Sequence, residues 1–191
     1  MIIGLTGRAG SGKTTAQTYV SNVCLVSIID LDKIGHELLT QSYIIKQLTH
    51  SFGQSICLPN GSINRNKLGQ HVFSNKSNRL ELNRIMHPAI KKNVVDQCSQ
   101  PQSSPTIIVG ALLHEIDLEH LCNCIVVIDT DDKNIELTDP KKYAILNHQR
   151  DRNTYRESAT YVITNEFNDS FKEDCESLFK KILAGYTSHY D

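Results

Sequence analysis

"GLTGRAGSGKTT", Gly4 to Thr15, decides how this chain is to be read. "MIIGLT", Met1 to Thr6, leads into it and reads as a buried strand; Lys13 to about Ser21 reads as a helix. Gly7 to Thr14 fits the spacing G-x4-G-K-[ST], and each residue type has a chemical reason. Glycines let the backbone curl until successive N–H groups point inward at phosphate oxygens. Lys13 brings a mobile positive charge to the β- and γ-phosphates, and the Thr14 hydroxyl suits Mg²⁺. A helix starting at Lys13 adds its N-terminal dipole and donors. The stretch is therefore expected to bind a nucleotide through Ala9, Gly10, Ser11, Gly12, Lys13, Thr14 and Thr15.

Outward from the loop, short Ile/Val-rich runs recur: Leu25–Asp30, Thr106–Gly110, Cys124–Asp129 and Thr160–Thr164. Separated by helical stretches, they predict a parallel sheet covered on both faces. Phe171, Cys175, Leu178, Phe179 and Ile182 repeat at helical spacing and give the last helix one apolar face. Residues 33–105 are mostly helical in pattern, interrupted by a turn at Pro59 and Asn60-Gly61, and read as an inserted lobe. Within them "LELNRIMHPAIKKNVV" is expected to form two helices meeting at Pro88, with His87 at the bend, because the residue before proline avoids the helical region.

The chain has 191 residues, the length of one domain with room for a lobe. Its 20 basic and 21 acidic residues leave a net charge of −1, without the basic stripe of a nucleic-acid binder. No run of about 18 apolar residues predicts a membrane span. With no basic leader pattern at its start, the chain is expected in the cytoplasm, its six cysteines reduced. Cys122-Asn123-Cys124 lacks the spacing of a zinc site. The oligomeric state is not legible.

Asp30 and Asp32 follow the second strand at i, i+2. Carboxylates at the C-terminal end of a parallel strand face the ligand crevice. One suits Mg²⁺ organisation and the other can accept a hydroxyl proton during phosphoryl transfer; Asp32 before "KIGHELL" equally suits a helix cap. Asp129 also ends an apolar strand, but nothing catalytic is expected around it, and a structural role is assigned. The guanine-reading NKxD pattern of GTPases is absent; Asn75-Lys76-Ser77-Asn78 lacks its acid.

Taken together, "GLTGRAGSGKTT", "IIDLDKIGHELL", "FGQSI…NGSINRNKLGQHVF", "LNRIMHPAI", "ALLHE" and "YVITN" resemble, in order and spacing, the dephospho-coenzyme A kinase family. The resemblance implies an α/β P-loop kinase fold of three layers, with a parallel five-stranded sheet, a helical acceptor-binding insertion and a short lid. It implies a nucleotide core of 1–32, 106–130 and 157–191, an acceptor lobe of 33–105 and a lid of 131–156. It implies ATP and Mg²⁺ as donor and cofactor, and phosphorylation of the ribose 3′-hydroxyl of dephospho-coenzyme A. By the same resemblance Asp32 is the base and Asp30 its partner in substrate binding. Arg65 and His87 are acceptor-lobe residues; a guanidinium forms paired hydrogen bonds to a phosphate, while His87 also suits a structural place at a helix junction. Asn165 is placed near the nucleotide base, and His114 replaces an aromatic residue of the family's "LLFE" block.

Two departures stand out. The lid lacks the family's arginines before Arg150, leaving Lys133, Lys141, Lys142, Arg150 or Arg152 as substitutes, with Gln149 and Arg156 where a later "Q…R" falls. An arginine at such a transition state is worth roughly 10³–10⁵ in rate. Arg8-Ala9 stands where the family has a glycine and an apolar residue, and Arg8 is expected to meet phosphate or solvent.

Overall fold

A computed structural model describes residues 1–73, 75–138, 143, 145–146 and 149–187. The chain falls into two compact units: Met1–Asp30 with Pro101–Asp191, and Leu31–Gln100. The first contains β1 (Ile2–Thr6), α1 (Lys13–Val23), β2 (Ser27–Asp30), β3 (Thr106–Val109) and β4 (Cys124–Asp129). Beyond Asp129 that unit continues with α6 (Asp132–Thr138), α7 (Arg152–Glu157), β5 (Tyr161–Thr164) and α8 (Ser170–Thr187). The second contains α2 (Leu31–Leu38), α3 (Ser42–Phe52), α4 (Arg65–Phe73) and α5 (Lys76–Cys98).

The five strands form one parallel sheet in the order β2-β3-β1-β4-β5. β1 is central, so the loop that follows it emerges from the middle of the sheet. Alternation along β1 sends Ile3 and Leu5 to one face, where they join Ile107, Val109, Val126, Ile128 and Ile163. Ala16 and Val20 of α1 cover that face together with Phe171, Cys175, Phe179 and Ile182 of α8, the positions whose helical spacing marks an apolar stripe. On β1 itself Gly4 leaves little room: a Cβ there would lie 3.1 Å from the Leu113 and Cys122 side chains, which would have to shift slightly to admit it. All six cysteines are free thiols.

The second unit has its own apolar interior, including Ile44, Leu48, Leu68, Val72, Ile85, Ile90 and Val94. Asn60-Gly61 makes a turn, with Gly61 at φ 82° and a bridge between Cys57 and Ile63. The expected break at Pro88 does not occur: α5 runs unbroken for 23 residues with Pro88 inside it. Proline removes one N–H and frees the carbonyl four residues earlier, on Arg84. Pro88 and Arg84 are both exposed, so water meets the freed carbonyl and the ring stays out of the packed face.

Candidate active site

The loop after β1 is shaped by glycines in conformations other residues rarely adopt. Gly7, Gly10 and Gly12 have φ of 145°, 81° and 101°. A Cβ on Gly7 would lie 2.3 Å from the Ile128 carbonyl oxygen, and one on Gly12 would lie 2.3 Å from Asn165 Nδ2. The loop therefore wraps tightly against β4 on one side and Asn165 on the other. Gly12 is the N-cap of α1 and has no side chain to cap the first turn, which keeps that end open to an anion. The Lys13 ammonium donates to the carbonyls of Gly7 and Arg8, both at 2.9 Å, and so bridges the mouth of the loop. Thr14 and Thr15 are exposed in the first turn, and the Ser11 hydroxyl is buried with no partner.

Asn165 is 2% exposed. Its Nδ2 donates to the Ser11 carbonyl (2.8 Å), and its Oδ1 accepts from the Phe167 N–H (2.9 Å). Its own carbonyl accepts from the Thr130 hydroxyl at 2.7 Å. The side chain read from sequence as lying near the nucleotide base is thus engaged with the phosphate loop itself.

Asp132 and Gln149 hold the loop's first turn. Arg8, expected to meet phosphate or solvent, is buried and ion-paired with Asp132. Burial, then the neighbouring Arg152 charge, pulls the Arg8 guanidinium below its ordinary value, against the opposing influence of Asp129. The Ala9 N–H donates to Gln149 Oε1 at 2.7 Å. A charged residue in a Gly-rich turn was the available signal for such a latch, but its partner lies 124 residues away.

Asp129 is better furnished than expected. Arg152 holds it through two bonds of 2.7 and 2.9 Å and also reaches Asp131 at 3.1 Å; Arg156 completes the pairing. Burial would raise the Asp129 carboxyl, but the hydrogen bonds from Arg152 and Arg156 outweigh it and hold the group below the usual carboxylate range. A carboxylate neutralised in this way is a poor metal ligand, in keeping with its structural assignment. Arg152, one of the substitutes considered for the lid, is thereby tied to it, as is Arg156 of the later "Q…R". Arg150 donates to the His114 carbonyl (3.3 Å), with Glu115 3.8 Å away. Lys133 is exposed on α6, whereas Lys141 and Lys142 lie outside the described residues.

His114 does take an aromatic part: it is 6% exposed and packs edge-on against Tyr155, with ring centres 6.0 Å apart. Its Nε2 meets Ser158 Oγ at 2.9 Å, and burial keeps it below the ordinary histidine range. The Tyr155 hydroxyl donates to the Ala111 carbonyl at 2.9 Å.

Asp30 ends β2 opposite Val109 of β3, within the unit that carries the loop. Asp32 is not a cap: α2 begins at Leu31 and Asp32 occupies its first turn. There a carboxylate is favoured by the helix dipole. Arg65 opens α4, whose start is capped by Asn64 Oδ1 accepting from the Lys67 N–H (3.1 Å). His87 is half-buried on α5, and burial lowers its affinity for a proton. Among the described residues no helix is long and apolar enough to cross a membrane, and no cluster of acids, histidines and cysteines is built to hold a metal.

Comparison with known proteins bears on the family and on the fold. The dephospho-CoA kinase family model matches residues 1–170. A dephospho-CoA kinase of Pasteurella multocida is 32% identical over 95% of this chain and 91% of its own length. One from Colwellia psychrerythraea is 37% identical over 69% of this chain and 65% of its own. Among solved structures, a dephospho-CoA kinase from Campylobacter jejuni superposes with a TM-score of 0.68 at 22% identity, covering 97% of this chain and 98% of that one. A shikimate kinase from Bacteroides thetaiotaomicron reaches 0.54 at 14% identity, over 96% and 98%. These two likenesses concern the fold.

Proposed function

The chain belongs to the dephospho-CoA kinase family, and on that premise we propose that it transfers the γ-phosphoryl group of ATP to the ribose 3′-hydroxyl of dephospho-coenzyme A. That reaction completes coenzyme A synthesis. The observation that carries the reading is the loop from Gly7 to Thr15. Three of its glycines have positive φ, an uncapped helix start follows, and Lys13 lies across its mouth. The loop's backbone donors take the phosphates, and Lys13 leaves its carbonyl partners for the β- and γ-oxygens.

In this reading Asp32 accepts the proton of the 3′-hydroxyl as its oxygen bonds to the γ-phosphorus, and ADP leaves with the electrons of the broken P–O bond. Asp30 helps to bind the substrate. Arg65 holds a phosphate of the acceptor, with His87 on the same lobe. Mg²⁺ would be held through the Thr14 hydroxyl and would neutralise charge on the β- and γ-phosphates. Asn165 serves ATP indirectly, by fixing the loop. The six free thiols accord with a reducing cytoplasm as the place of action.

A second reading, a nucleotide-binding relative of low turnover, draws on one observation: Arg152 and Arg156 are both committed to Asp129. Purified protein supplied with Mg·ATP and dephospho-coenzyme A separates the two. Coenzyme A formed at several turnovers per second, abolished by Lys13→Ala, supports the kinase; ATP binding with negligible transfer at saturating acceptor favours the alternative.

A further inference from the structure

Arg65 has a partner that its sequence neighbourhood does not announce. Its Nη2 lies 2.6 Å from Nε2 of His36 on α2, and both residues are exposed. A guanidinium carries only donors, so the imidazole nitrogen is the acceptor. His36 is therefore neutral in this contact, with its proton on Nδ1. Arg65 also borders an open hollow of about 560 Å³ together with Leu58, Ile63, Asn64 and Asn66. The Asn64 cap fixes the backbone from which its side chain springs.

We infer that His36 is a positioning residue of the acceptor site: its neutral imidazole holds one edge of the Arg65 guanidinium, so that the remaining donors meet a phosphate of dephospho-coenzyme A in a set orientation. The inference rests on Arg65 holding that phosphate. An exposed arginine on its own samples many rotamers and gives up that freedom on binding. Prior restraint by His36 removes part of this loss, equivalent to roughly three- to tenfold in affinity.

Steady-state kinetics on the full chain with ATP and dephospho-coenzyme A test the inference. His36→Ala is expected to raise the acceptor KM roughly three- to tenfold and to leave kcat and the ATP KM within about twofold. His36→Gln, which keeps an acceptor at similar reach, is expected to restore the acceptor KM. If Arg65→Ala leaves the acceptor KM unchanged, the reading of Arg65 itself fails. If Arg65→Ala raises it but His36→Ala does not, positioning by His36 is overturned. Positioning is equally overturned if His36→Gln behaves like His36→Ala, or if His36→Ala keeps its full effect in the Arg65→Ala background.

Discussion

Replacing Asn165 with alanine is expected to damage the phosphate loop from a position outside it. The truncation removes the donor to the Ser11 carbonyl and the acceptor of the Phe167 N–H. Ser11 is 1% exposed, so its carbonyl is left in a place that water does not easily reach. An unsatisfied buried group costs about 1–3 kcal/mol, and the second bond is worth about 0.5–1.5 kcal/mol. A total near 3 kcal/mol corresponds to a fall in Tm of about 6–12 °C for a chain of this size. Gly12 packs against the same amide, so the loop also loses its stop on that side. If about half of the lost energy appears as freedom of the loop, the ATP KM rises roughly tenfold, while the acceptor KM changes little. Thermal unfolding by circular dichroism and coupled-assay kinetics read the two effects. A Tm within about 2 °C of the parent together with an unchanged ATP KM would refute the reasoning, leaving the glycines and Ile128 to hold the loop. A lower Tm with an unchanged ATP KM would confine Asn165 to stability.

Asp129→Asn keeps the shape of the side chain but leaves Arg152 and Arg156 without their counter-charge. With the arginine side chains 33% and 46% exposed, solvent softens the loss to about 2–3 kcal/mol. Because the native carboxyl titrates below its unfolded value, this stability is present above about pH 4 and is lost as pH falls through the folded value. The Tm gap between parent and variant should therefore be steady from pH 5 to 8 and close only in stronger acid; a gap that instead grows below pH 4 contradicts the pairing. For His114, burial lowers the folded pKa, so below about pH 6.5 the unfolded chain takes up a proton that the native chain refuses, and stability declines. His114→Phe keeps the edge-on contact with Tyr155 and should flatten the Tm slope between pH 7 and 5; parallel slopes would argue against a neutral buried imidazole. Asp32→Asn is expected to lower kcat by about 10²–10⁴ and to spare ATP binding measured by calorimetry. Full activity in that variant would move the base to Asp30 or to water.

The phosphate loop was legible because its chemistry is local. Glycines that permit positive φ, a lysine and a threonine all fall within eight residues, and the strand before and helix after follow from adjacent apolar patterns. The sheet was legible for a related reason: the strands of a parallel sheet show as short Ile/Val runs, and all five appear, including the largely exposed edge strand β5. Pro88 misled because the rule for residues before proline is a local bias. A long helix packed along one side overrides it when the freed carbonyl faces water. The partners of Arg8, Asp129 and Asn165 were not legible, since each contact spans 23 to 154 residues and a side chain's type does not name its mate.

The sequence alone therefore determined the sheet, the loop and the order of blocks that marks the family. Each of these is written in residues close enough along the chain for backbone preference and periodicity to act. Only the tertiary structure decided what surrounds the loop. Asn165 clasps it from the end of β5, Gln149 and Asp132 hold its first turn, and Asp129 gathers the arginines that looked available to the lid. Those assignments depend on parallel strands bringing distant C-terminal ends to one edge of the sheet, where burial favours polar groups that find partners far along the chain.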